Sequence, residues 1–97
     1  MPSNTVPAEL LALRDKIDTL DEEILMLLAQ RFAVTSEVGK LKAKEQLNSV
    51  DSVREQEKLA CLRSLADKHS LNSEFVLELF QQVFDEVLKN HRGYLKG

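Results

Sequence analysis

Residues 10–42 read LLALRDKIDTLDEEILMLLAQRFAVTSEVGKLK, and the spacing of their apolar side chains decides the fold. Leu10, Leu13, Ile17, Leu20, Ile24, Leu27, Val34, Val38 and Leu41 recur at intervals of three and four, the period that lines up one face of an α-helix. No proline interrupts the pattern after Pro7, so the spacing predicts one helix over residues 7–46. Asn4 and Thr5 offer polar groups to cap its first N–H groups, and Pro7 suits a first turn. Such a helix is ~58 Å long at 1.5 Å per residue, whereas a 97-residue globule is only roughly 32 Å across. The rest of the chain is too short to cover that seam. A second copy, with the long helices side by side and the shorter ones wrapped around them, gives an intertwined symmetric homodimer.

Two shorter helices follow. Ser52 and Glu55 have capping-box spacing, and Val53, Leu59, Leu62, Leu65 and Ala66 form a stripe, which predicts a helix over 52–69. Asn72, with Leu71 and Val76 placed as a hydrophobic staple, opens a third over 72–92 that frays near Gly93. Its apolar face is broad, comprising Phe75, Val76, Leu79, Phe80, Val83, Phe84, Val87 and Leu88. Three Gly, two Pro and five aromatic residues are too few for an all-β chain. The expected fold is all-α, one domain over residues 1–97 with three helices of unequal length.

Composition narrows the partners. The 13 basic and 16 acidic side chains are interleaved, leaving no basic stripe for a phosphate backbone, so nucleic acid is not expected. Cys61 is the single cysteine, and with His69 and His91 it forms no zinc spacing; no disulfide or metal is expected. The longest apolar run, Ile24 to Ala29, is far too short for a membrane span. The opening residues have neither a basic nor an apolar leader region, so the expectation is an unprocessed cytoplasmic chain.

Several charged residues break the pattern. The three-four period calls for an apolar residue at position 31, where the chain has Arg31. Its side chain either snorkels to solvent or an acid, or marks an anion site within the bundle. Lys42, eleven residues on, lies ~20° around the helix and ~16 Å along it, so it faces the same space. Arg14 is ~25 Å from Arg31 along the axis and rotated by ~100°. It either pairs with Asp18 on the surface or reaches the site of a partner copy. Arg54 is a cation in a first turn, where the helix dipole favours anions. A bound carboxylate explains it, with Asp51 and Glu55 nearby either as ligand acceptors or simply as capping groups. His91 continues the stripe of helix three, as a structural histidine or as an N–H donor into a pocket.

Four segments match one family in residue type and spacing: Leu10-Leu-Ala-Leu-Arg14-Asp-Lys-Ile-Asp18, Leu27-Leu-Ala-Gln-Arg31, Val38-Gly39-Lys-Leu-Lys42 and Asp51-Ser-Val-Arg54-Glu55. In combination they identify the chain as resembling the all-helical chorismate mutases along nearly its whole length. The resemblance implies a dimer with two equivalent pockets, each completed by Arg14 of the other chain. It implies that Arg14 and Arg31 hold substrate carboxylates and that Lys42 bonds a carboxylate and the ether oxygen. Arg54 then supports the charged cluster, Asp51 and Glu55 take the ring hydroxyl, and Val38 and Val87 line the substrate. The reaction it implies, chorismate to prephenate, is unimolecular and needs no cofactor, only a held conformer and stabilisation of charge growing on the ether oxygen. Helix three departs from the family, which usually carries a polar residue near Val87 and a glutamine or glutamate at His91. His91 remains able to donate to the ether oxygen, as a neutral tautomer or as a cation.

Two other functions are compatible with parts of this reading. Relatives within the same fold act on 4-amino-4-deoxychorismate or release pyruvate from isochorismate. A helical interaction module without chemistry accounts for the apolar seams, but not for Arg31, Lys42 and Arg54.

Overall fold

A computed structural model describes residues 6–48 and 51–96, with side chains through residue 93. Among these residues every regular element is helical: α1 is Ala8–Lys44, α2 is Ser52–Lys68 and α3 is Ser73–Lys96. This is the all-α order that the periodicity predicts. The chain divides into two units, residues 1–33 and 34–97.

In the first unit Pro7 stands just ahead of α1 rather than in its first turn. Its carbonyl accepts from the N–H groups of Leu10 (3.0 Å) and Leu11 (3.2 Å), which opens the hydrogen-bond ladder. The cap expected at Asn4 and Thr5 lies outside the described residues. No residue from Val6 to Ala33 is buried. Leu13, Ile17, Leu20, Ile24 and Leu27 are between 54% and 61% exposed, so this stretch draws little stability from packing within the chain.

The second unit holds the core. Leu62 and Ala66 of α2 meet Val76 and Phe84 of α3, with Leu59, Leu77 and Phe80 packed around them. Phe80 and Phe84, one turn apart, stand with ring centroids 6.3 Å apart and planes tilted by 60°, an edge-biased pair that adds to simple area burial. Only part of the predicted apolar faces is used: Val53, Leu65, Leu71, Phe75 and Leu79 remain between 40% and 66% exposed.

Helix ends explain how these pieces are spaced. α1 closes in a Schellman motif, with Leu47 N–H on the Lys42 carbonyl (2.7 Å), Gln46 N–H on that of Ala43 (3.2 Å) and Gln46 at φ 57°. Gln46 therefore terminates α1, which stops at Lys44 rather than 46. The same device follows α2, with Leu71 N–H on Ala66 O (2.8 Å), Ser70 N–H on Asp67 O (3.1 Å) and Ser70 at φ 57°. α2 is capped by Asp51, one residue ahead of the expected Ser52, because the Asp51 carboxylate reaches the Arg54 N–H at 3.0 Å. Asn72 caps α3 as predicted, accepting from the Phe75 N–H at 3.2 Å.

α3 runs to Lys96, past the end expected at 92. One glycine weakens a helix by about 1 kcal/mol without ending it when neighbouring turns remain bonded. A Cβ added at Gly93 meets nothing within 4 Å. Gly93→Ala is therefore expected to stabilise the protein by about 0.5–1 kcal/mol in a denaturant melt. Ser70→Gly, which relieves a left-handed non-glycine residue, is expected to raise the melting temperature rather than lower it.

Candidate functional site

Each candidate residue takes its surroundings from its own element. In the first unit Arg14 is exposed on α1 and Arg31 is half-buried at the position where the apolar period demands a hydrocarbon. The Nη1 atom of Arg31 is shielded from solvent and makes no hydrogen bond among the described residues, while the residue as a whole makes other interactions.

In the second unit the end of α1 carries Thr35, Val38 and Lys42 at intervals of three and four, and these therefore share one stripe. Thr35 and Lys42 are half-buried, Val38 is 40% exposed and the adjacent Gly39 is buried. Lys42 is fixed through its backbone, since its carbonyl anchors the Schellman turn. On α3, Val87 is half-buried and His91, one turn later, is 4% exposed. The ring Nε2 of His91 lies 3.0 Å from the Thr35 carbonyl oxygen. The structure thus brings His91 onto the stripe that ends in Lys42.

The first turn of α2 is organised by Asp51. Its carboxylate accepts from Arg54 N–H, and its carbonyl accepts from Glu55 N–H at 3.0 Å. Asp51, Arg54 and Glu55 lie three and four residues apart and so occupy one face of the turn. Asp51 and Arg54 are exposed and Glu55 is half-buried. The capping role considered for Asp51 is thus real, and its carboxylate has capacity for a further bond because a carboxylate offers about four acceptor positions.

Thr35 was invisible to sequence reasoning. It contributes a main-chain carbonyl, and no side-chain pattern reports which carbonyl of a helix accepts a second hydrogen bond. The nearest signal is the buried Gly39 in the following turn, which leaves room beside the helix. Among the described residues no group of three or more His, Cys, Asp and Glu side chains is placed to hold a metal ion, and no helix is long and apolar enough to cross a membrane.

The described residues thus form an all-helical chain with Arg31 and Lys42 half-buried on α1. The chain belongs to the chorismate mutase type II family, whose sequence profile matches residues 13–92. It is 37% identical over 87 residues to the bifunctional chorismate mutase/prephenate dehydratase of Escherichia coli K12, covering 90% of this chain and 22% of that protein. It is 34% identical over 89 residues to the T-protein of Enterobacter agglomerans (90% and 24%). It is 32% identical over 96 residues to the bifunctional enzyme of Buchnera aphidicola from Acyrthosiphon pisum (99% and 24%). The chain spans about a quarter or less of the length of these relatives.

The observed cap of Asp51 is separable by substitution from the ligand contact that the sequence predicts. Asparagine caps a helix about as well as aspartate, so Asp51→Asn should leave the melting temperature nearly unchanged, while Asp51→Ala loses ~0.5–2 kcal/mol. A drop in ligand affinity with Asp51→Asn at constant stability isolates the role of the charge.

Proposed function

We propose that this chain isomerises chorismate to prephenate, and that it does so as a homodimer forming one cofactor-free domain in the cytoplasm. Membership of the chorismate mutase type II family across residues 13–92 carries the proposal. The placement of cations on the apolar face of α1 and at the first turn of α2 supports it. Arg31 and Arg14 of the second copy bind the substrate carboxylates, and Lys42 bonds a carboxylate together with the ether oxygen. Arg54 reinforces the cationic cluster, Asp51 and Glu55 accept from the ring hydroxyl, and Val38 and Val87 shape the apolar wall. His91 joins the site from α3 through its bond to the Thr35 carbonyl.

The chemistry asks little beyond this set. As the ether C–O bond breaks and the new C–C bond forms within one molecule, no nucleophile, external base or leaving group is involved. The protein must hold a flexible dianion in its compact conformer, which is an entropic contribution. It must also stabilise negative charge growing on the ether oxygen, for which fixed cations in a shielded pocket are suited. The exposed seam of α1 supports the dimer, because covering Leu13, Ile17, Leu20, Ile24 and Leu27 removes from water apolar side chains worth ~1.5–3 kcal/mol each when fully buried.

Chorismate loss, followed by ultraviolet absorbance with product identification, tests the activity. Arg31→Ala is expected to abolish acceleration while the protein stays helical and dimeric. A wild-type protein that does not accelerate chorismate loss sinks the proposal, and release of pyruvate identifies a lyase instead. Shared sites make a sharper prediction. Arg14→Ala and Arg31→Ala homodimers should each be inactive, whereas unfolding and refolding them together at equal amounts should restore about a quarter of wild-type activity, since half the dimers are mixed and each has one intact site.

A further inference from the structure

Among the described residues His91 is the buried polar side chain, at 4% exposure. Its Nε2 lies 3.0 Å from the carbonyl oxygen of Thr35, fifty-six residues away in sequence. A carbonyl has no proton to give, so the ring nitrogen must be the donor. In a neutral imidazole the single N–H is then on Nε2, and Nδ1 carries a lone pair. A neutral His91 in this position has no second donor for an ether oxygen.

We infer that His91 is a positioning residue: its Nε2–H clamps α3 to the Thr35–Gly39 turn of α1 and so fixes the stripe that presents Lys42. Three observations converge on this. The bond reaches a main-chain atom of a helix, which moves only if the helix moves. The turn it reaches contains Gly39, buried and without a side chain that stands off a neighbouring element. Lys42 lies two turns beyond Thr35 on the same face, ~10.5 Å along the axis. The inference rests on the proposed mutase activity only for the consequence at Lys42, while the clamp itself is a property of the folded chain.

The two amide isosteres of histidine distinguish a clamp from a donor. The glutamine amide nitrogen reaches the place of Nε2, whereas that of asparagine falls at the place of Nδ1. His91→Asn should lower kcat/KM for chorismate roughly tenfold, and His91→Gln should recover it to within about threefold of wild type. In a Lys42→Ala background, His91→Asn should produce no further loss, because the two act through one element. Recovery by asparagine instead of glutamine, or full additivity with Lys42→Ala, overturns the positioning role. Nitrogen-15 spectra of the histidine rings at neutral pH test the clamp without any assay. An Nε2–H tautomer is expected for His91, and it should persist when prephenate is added. An Nδ1–H tautomer, in either state, overturns the inference, because Nε2 then has no proton to donate to the Thr35 carbonyl. Absence of turnover with an Nε2–H ring refutes the mutase reading and leaves the clamp standing.

Discussion

Removal of apolar surface from water is the constraint on which this structure depends, and α1 is where it is unmet. A helix of 37 residues carries a seam of leucines and isoleucines, yet no residue before Gly39 is buried among those described. The core that the chain does build is small, made by Leu62, Ala66, Val76, Val83 and Phe84. Association of two copies costs on the order of 4–15 kcal/mol in lost freedom. Burying the five central seam residues of both copies supplies a gain of similar or larger size. Among the described residues the largest unused reserve of stabilisation thus lies in the exposed seam of α1, which is why dimer and fold belong to one proposal.

The short connections show the opposite economy, with local chemistry deciding local geometry. Gln46 and Ser70 both enter the left-handed region, where glycine is the usual choice, and in each case two main-chain bonds hold the turn. Asp51 and Asn72 then open the following helices by accepting from the third N–H onward. Each link contains a stop and a start within a few residues, so α2 and α3 fold back on one another as a hairpin of helices.

This division explains what could be read in advance. Periodicity located all three helices, because burial of one face is encoded in every third or fourth residue. The capping residue Asn72 was legible because its side chain is unambiguous. Asp51 was displaced by one position, since Asp51 and Ser52 are both good caps and geometry chooses between them. Gly93 misled because its low intrinsic propensity is outweighed by the bonded turns around it. The candidate cations were legible as violations of a pattern, Arg31 most clearly. The Thr35 carbonyl was not, because every helical residue has one and only the tertiary fold selects which receives His91.

Preorganisation connects these local facts to the chemistry. In the proposed unimolecular rearrangement a cation that must first find its place contributes little, so the role proposed for Lys42 depends on how firmly its helix end is held. That end is held on both sides. Beyond Lys42, the Schellman turn ties its carbonyl to the Leu47 N–H; before it, Thr35 is tied to a buried ring on α3. A helix terminus ordinarily frays, because its last carbonyls lack partners within the helix. Here the terminal turns are bonded to the following loop and to another helix. The backbone that carries Lys42, unremarkable by its position in the sequence, is thereby anchored on both sides.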